Sequence, residues 1–204
     1  MDERTGVLLE SEVAADPLEQ FRRWYADAEA AEIRAPHAMA LATAALDGGP
    51  SVRMVLLKEA NERGFVFFTG YESRKGGELA ANPRAALLFY WDPLGRQARV
   101  EGTVERVWDA DSDAYFATRP RGAQIAAAAS RQGRVLTSRE ELDARVAELE
   151  REHEGRDVPR PPHWGGYRLR PDLYEFWQHR ESRLHDRLRY RRDGDRWIVE
   201  RLSP

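Results

Sequence analysis

The chain contains no cysteine, which excludes disulfides, thiolate catalysis and cysteine-ligated metals together. No apolar run approaches the roughly 18–20 residues that a membrane span requires. Met1-Asp2-Glu3-Arg4 is not the charged-then-apolar opening of a secretory signal. These absences point to the cytoplasm and away from a membrane. A net positive charge is also lacking: the formal net charge is −3, so no general field attracts nucleic acid and any anion site must be local. Neither phosphate-loop pattern, GxGxxG or GxxxxGKS/T, occurs, and a GxSxG nucleophile elbow is missing too. His179 and His185 have no convincing third ligand and are crowded by cations, which argues against a metal site.

What is present describes an ordinary soluble chain of 204 residues, 42% hydrophobic and 33% charged. Residues 1–15 are acidic and aperiodic, and read as a mobile arm. Residues 16–204 read as one domain. Asp16-Pro17 resembles an N-cap followed by proline at the first helical position. Leu18, Phe21, Trp24, Tyr25 and Ala28 then recur at helical spacing, predicting an amphipathic helix to about Arg34. From Ala38 the period changes. Strands are predicted over 39–44, 51–58, 65–69, 85–91 and 96–107, closed by turns such as Asp47-Gly48-Gly49-Pro50 and Asp92-Pro93-Leu94-Gly95. A short helix follows Ser73. Helices return over 111–118, 122–130 and 138–153, the last a solvated outer element. Final strands are predicted over 166–177, 183–191 and 197–202. The pattern is mainly β with peripheral helices, an α+β chain built on an antiparallel sheet or barrel.

Two stretches carry candidate chemistry. In the first, Tyr174-Glu175-Phe176-Trp177-Gln178 precedes Arg183-Leu184-His185-Asp186-Arg187. If the second part is extended, Arg183, His185, Arg187 and Arg189 share one face, with Leu184, Leu188 and Tyr190 on the other. Such a row is either a solvated edge or an anion site, and the large flat ring of Trp177 beside it suits a planar anionic ligand. In the second, Ser73 is a plausible N-cap that puts Arg74 and Lys75 in a first helical turn. Cations there oppose the macrodipole by about 0.3–1 kcal/mol. Either they snorkel to water or a phosphate at the helix start reverses the sign. Arg53 and Lys58 sit at odd and even positions of one predicted strand, which puts them on opposite faces unless a bulge intervenes. Tyr115, Arg119 and Arg121 could form a further anion clamp or a solvated turn.

Taken together, these motifs resemble the pyridoxine (pyridoxamine) 5′-phosphate oxidase family over nearly the whole chain, from Asp16-Pro17 to Arg201-Leu202-Ser203-Pro204. The most specific part is Glu175-Phe-Trp-Gln178, four residues, then Arg183-Leu-His-Asp-Arg187. Arg53-Met-Val-Leu-Leu-Lys58, Ser73-Arg74-Lys75, Gly95-Arg96-Gln97, Arg119-Pro120-Arg121 and Trp164-Gly165-Gly166 follow the family's order. The resemblance implies an FMN-binding split β-barrel that forms a homodimer with FMN in clefts between the subunits. It implies FMN contacts for Arg53, Lys58, Phe68, Thr69, Arg74, Lys75, Gln97, Gln132, Trp177 and Arg187. The substrate phosphate falls to Lys58, Tyr115 and Arg119, and the pyridine ring to Arg183 and His185, the implied catalytic pair. The implied reaction oxidises pyridoxine or pyridoxamine 5′-phosphate to pyridoxal 5′-phosphate and reduces dioxygen to hydrogen peroxide. Departures from the family pattern are Ala123 and Gly133 in place of serines, the Ala126–Ala129 run, and His179-Arg180 in place of glycines. The arm also lacks the arginine pair that some relatives carry. Two alternatives remain: an FMN oxidase of the same family acting on another aromatic substrate, as in phenazine biosynthesis, or a non-catalytic flavin- or haem-binding relative.

Overall fold

The structure, a computed structural model, describes residues 6–204. Helix α1 spans Pro17–Ala30, its first turn closed by the Asp16 carboxylate accepting from the Leu18 N–H at 2.9 Å. Phe21 and Trp24, on its buried face, pack edge-to-face against Phe65, Phe89 and Phe176. The helix stops four residues short of the expected Arg34, as the chain turns through left-handed Glu32 and Ala35.

Nine strands follow: β1 (Ala38–Ala44), β2 (Pro50–Leu56), β3 (Glu59–Asn61), β4 (Gly64–Gly70), β5 (Arg84–Trp91), β6 (Arg96–Arg106), β7 (Trp164–Gln178), β8 (Asp186–Asp193) and β9 (Arg196–Arg201). Helices α2 (Arg74–Ala81), α3 (Asp109–Ala117), α4 (Arg121–Ala129) and α5 (Arg139–Glu152) lie between them. All the strand pairs are antiparallel, in the order β2-β1-β5-β6-β7-β4-β3, with β8 on β7 and β9 on β8. This sheet curls into a split barrel in which β2 and β4 approach without pairing.

Strand β7 organises the rest. Its first half pairs with β4, from Trp164 opposite Gly70 to Leu169 opposite Phe65. Its second half pairs with β8, from Leu173 opposite Arg191 to Gln178 opposite Asp186. The exchange of neighbours falls near Pro171, which has no N–H to give a ladder, beside a register shift against β6 between Glu101 and Gly102. Inward residues alternate as the pleat demands. Phe65, Phe67, Phe89, Trp91, Phe176, Leu188 and Tyr190 are all at or below 1% exposure, and they form the barrel core. A smaller cluster of Phe116, Ile125, Val158 and Trp164 joins α3 and α4 to the first half of β7.

Two expectations about the chain ends change. Residues 6–15 are not a free arm: Leu8 and Ala14 are buried, the Tyr190 hydroxyl donates to the Ala14 carbonyl at 2.8 Å, and Arg201 binds Glu10 and the Leu8 carbonyl. The start of that predicted arm, residues 1–5, lies outside the described residues. Strand β8 begins at Asp186, not Arg183, because Ser182 and Arg183 take left-handed φ values of 56° and 61° in a 3₁₀ turn. Only Arg187 and Arg189 therefore share the expected face, and Leu184 is exposed instead of facing Leu188.

Candidate active site

A cleft of about 1000 Å³ opens where β2 and β4 part, bounded by α2, α3 and α4. Arg53, Lys58, Phe68, Thr69, Arg74, Lys75, Tyr115, Arg119 and Gln132 all line it. Strand alternation alone puts Arg53 and Lys58 on opposite faces. They meet because β2 ends at Leu56 and the Lys58 N–H turns to the Val66 carbonyl at 2.8 Å.

The floor of the cleft is the start of α2. Ser73 caps the helix, accepting from the Gly76 N–H at 3.3 Å while its hydroxyl donates to the Gly70 carbonyl at 2.7 Å. Gly76 is required there, since a Cβ would lie 2.0 Å from the Tyr71 carbonyl oxygen. Lys75, the residue before it, is only 7% exposed. Its ammonium donates to Ser73 Oγ at 3.2 Å and Gln132 Oε1 at 3.0 Å and has no carboxylate partner among the described residues. Burial, and then the nearby Arg53, lower its pKa to about 8. Gln132 ties the region together, since the same oxygen accepts from Thr69 Oγ1 and the Gly70 N–H.

A second group of cations stands on the α3 side. Phe68, Tyr115 and Trp164 stack in near-parallel planes, with Phe68 and Tyr115 centroids 3.9 Å apart. Lys58 Nζ lies 5.9 Å from the Tyr115 ring and the Arg119 guanidinium 4.6 Å from Trp164. Burial pushes the Arg119 pKa down, and its buried Nη1 has no hydrogen-bond partner among the described residues. Arg121, the further clamp candidate, points away and binds the carbonyls of His153 and Arg156.

The remaining expected residues gather elsewhere. Gln97, Trp177 and Arg187 are neighbours across β6, β7 and β8 on the outer face of the sheet. His185 stacks obliquely on Trp177 with centroids 4.5 Å apart. Its Nδ1 accepts from the Arg180 N–H at 3.1 Å, which assigns the proton of the neutral ring to Nε2. Burial first, then His179 and Arg183, depress the His185 pKa below the value of 6.5 expected for an unperturbed ring. Arg183 is exposed, and its left-handed φ is a strained conformation worth about 1 kcal/mol or more. The basic row supplies its own anions. Arg187 binds Glu175 at 2.8 Å, Arg189 binds Glu200 at 2.7 Å and Arg180 binds Asp186 at 3.3 Å.

The two groups are far apart along the chain's own scaffold. Thr69 lies opposite Gly165 at one end of β7 and Gln97 opposite Trp177 at the other, a separation of about 35–40 Å of strand at roughly 3.3 Å per residue. The cleft lining includes none of Gln97, Trp177, Arg183, His185 or Arg187. Beside Gln97 the outer face is apolar and open, with Val52, Met54, Leu56, Leu88 and Tyr90 all exposed.

Sequence reasoning gave no role to two carboxylates. Buried Glu78 joins Arg53 and Arg74, and buried Glu175 joins Arg99 and Arg187. The i,i+4 spacing of Arg74 and Glu78 was a visible signal for the first; the cross-strand partners of Glu175 left none. Among the departures from the family pattern, Gly133 lines the cleft at a φ of 85°, a conformation that favours glycine. Ala126 and Ala127 also line the cleft.

Residues 26–152 match the family model described as pyridoxamine 5′-phosphate oxidase, and residues 164–204 match the pyridoxine 5′-phosphate oxidase C-terminal dimerisation region. The chain is 59% identical over 203 residues to the pyridoxine/pyridoxamine 5′-phosphate oxidase of Thermosynechococcus vestitus, covering 100% of this chain and 96% of that one. It is 60% identical over 197 residues to the enzyme of the same name from Rubrobacter xylanophilus, covering 97% and 91%. The crystal structure of PhzG from Burkholderia lata 383 in complex with tetrahydrophenazine-1-carboxylic acid superimposes with a TM-score of 0.92 at 37% identity, over 98% of this chain and 100% of that one. A pyridoxamine 5′-phosphate oxidase-related, FMN-binding protein of Nostoc punctiforme shares the fold at 16% identity, with a TM-score of 0.74 over 94% and 100%. With the split barrel, the cation-lined cleft and full-length agreement all in place, this chain belongs to the pyridoxamine 5′-phosphate oxidase family.

Proposed function

We propose that the protein is an FMN-dependent oxidase that converts pyridoxine 5′-phosphate or pyridoxamine 5′-phosphate to pyridoxal 5′-phosphate, reducing dioxygen to hydrogen peroxide. The observation that carries this reading is that one cleft holds two separate sets of cations lacking enough carboxylates. Arg53, Arg74 and Lys75 converge on a capped helix start, and Lys58 and Arg119 stand beside Tyr115. Two phosphates, one from the cofactor and one from the substrate, satisfy both. An uncharged ligand would leave Arg119 Nη1 buried and unpaired, at a typical cost of about 1–3 kcal/mol.

The first set suits FMN. Backbone N–H groups at the start of α2 and the Lys75 ammonium form a phosphate cradle, while Thr69, Phe68 and Gln132 border the space beyond it. When bound, FMN supplies the two-electron oxidation and hands the electrons to dioxygen. The protein's own part is placement and charge. Lys58, Tyr115 and Arg119 grip the substrate phosphate. His185, neutral and donating from Nε2, orients a polar group on the pyridine ring. Arg183, exposed and without a carboxylate partner among the described residues, stabilises charge that develops there.

Because the Trp177–Arg187 corner lies outside the cleft of its own chain, we assign it to the cleft of a second copy. The exposed apolar face beside Gln97 and the matched dimerisation region support that homodimer with FMN at the interface. Charged phosphates do not cross a bilayer unaided, which supports a cytoplasmic site. The phenazine-type alternative has its relative at 37% identity, against 59–60% for the two relatives named for vitamin phosphates.

The test is direct. The purified protein should carry a flavin absorption spectrum and release peroxide with pyridoxine 5′-phosphate, pyridoxamine 5′-phosphate or both. A yellow protein silent with both sinks the substrate assignment, and a colourless one that FMN cannot reconstitute sinks the cofactor.

A further inference from the structure

One buried carboxylate lies behind the phosphate cradle, on the side away from the open cleft. Glu78 is 7% exposed and sits one helical turn after Arg74. Its Oε1 accepts from Arg74 Nε at 2.8 Å. Its Oε2 accepts from Thr43 Oγ1 and Ser51 Oγ, each at 2.5 Å, and lies 3.4 Å from Arg53 Nη2. A single side chain therefore links β1, β2 and α2, the three elements that carry the cradle.

The geometry points to Glu78 as a positioning residue that sets the phosphate selectivity of the flavin site by holding Arg53 and Arg74 in place. The proposal rests on the FMN reading above and deepens it. Arg74 is otherwise a surface side chain, 70% exposed. Holding it by Nε leaves its two terminal nitrogens, which make no hydrogen bond among the described residues, to face the cleft. Arg53 is held on more points: Nη1 donates to the Leu41 carbonyl at 3.1 Å and to Thr43 Oγ1 at 2.5 Å, and Nη2 to Ser51 Oγ. Thr43 and Ser51 each contact both Glu78 and Arg53, so carboxylate and guanidinium share one rigid frame.

Two opposing effects bear on a phosphate in this cradle. The negative charge of Glu78 subtracts from the local field. Its contacts prepay the ordering of two long side chains and keep Arg53 and Arg74 close despite their repulsion. Hydrogen bonds from Ser51 and then Thr43 hold the Glu78 pKa down at about 2, so the carboxylate stays charged throughout the neutral range. With several fixed contacts against one charge that two guanidiniums already offset, the ordering effect governs.

The experiment compares FMN with riboflavin, which lacks the phosphate, by flavin fluorescence titration of the apoprotein. Wild type should bind FMN far more tightly than riboflavin. Glu78→Gln should weaken FMN binding about tenfold or more, as expected for charge-assisted contacts, and leave riboflavin binding unchanged. Thr43→Val guards against a Glu78 variant that fails to fold. Thr43 is buried outside the cleft lining and cannot touch the ligand, so a smaller loss confined to FMN would have to act through Glu78 and Arg53. In an Arg74→Ala background the Glu78→Gln effect should shrink, because the two act as a unit. Equal weakening of both flavins, or tighter FMN binding in Glu78→Gln, would overturn the proposal. A wild-type protein that does not prefer FMN to riboflavin would overturn the cofactor reading itself, and this inference with it.

Discussion

In the cleft, Lys58, Lys75 and Arg119 make no ion pair among the described residues, and Arg53 and Arg74 share the single carboxylate of Glu78. At the Trp177–Arg187 corner the arginines have carboxylate partners. Glu175 takes Arg99 and Arg187, Glu200 takes Arg189 and Arg191, and Asp186 takes Arg180 and Arg201. Counting arginines would make the corner the better anion site. Counting their partners makes it an ion-paired wall of rings and moves the demand for anions to the cleft. An unpaired buried cation is costly to fold, so its persistence says more about a ligand than a run of surface arginines does. Arg183 is the exception at the corner, without a carboxylate partner among the described residues and held by a strained turn, and it is the residue to which the proposal assigns the chemistry.

Removing that exception should have the largest effect. Arg183→Ala is expected to lower kcat by about 100-fold, the usual scale for losing one donor to a developing charge, while FMN affinity stays within about threefold of wild type. Steady-state peroxide release beside flavin titration measures both. A variant that chiefly sheds FMN would merge the two regions into one cofactor site. Next comes the cleft: Lys75→Met, which keeps the volume and removes the charge, should weaken FMN binding about 10–100-fold, since hydrogen bonds to charged groups contribute about 1.5–3 kcal/mol. Riboflavin binding should barely change.

The smallest effect is a pH dependence that belongs to the cleft alone. The Lys75 pKa is depressed to about 8, and a bound phosphate favours the charged form. FMN affinity should therefore be full between about pH 6 and 8, where lysine is protonated and a phosphate with a second pKa of about 6 is doubly charged. It should fall as pH rises through 8, by at most about tenfold per unit. Lys75→Met should abolish that slope. A slope that persists in the variant would place the titrating group elsewhere.

Much of the fold was legible because local chemistry and tertiary structure agree. Asp16-Pro17 starts a helix, Asp47-Gly48-Gly49-Pro50 turns a hairpin and Ser73 caps α2. Periodicity failed where a backbone exception intervened. Nothing in Ser182-Arg183 announces two consecutive left-handed residues without glycine, so alternation was extended three residues too far. Arg53 and Lys58 were separated by a strand that in fact ends between them. The packed segment over residues 6–15 was illegible because its partners, Asp186, Tyr190 and Arg201, lie at the other end of the sequence. For the site, family resemblance supplied the residues, and the structure supplied their division between two places.

That division is the central claim, and subunit mixing tests it most directly. Arg119→Ala disables the cleft and Arg183→Ala disables the corner, so each homodimer should be nearly inactive. If every site joins the cleft of one subunit to the corner of the other, a mixed dimer carries both lesions in one site and neither in the other. Unfolding and refolding the two variants together in equal amounts should then restore about a quarter of the wild-type rate, because about half the dimers are mixed and each has one intact site of two. Activity no higher than that of the separate variants would contradict the account and return both groups to a single subunit.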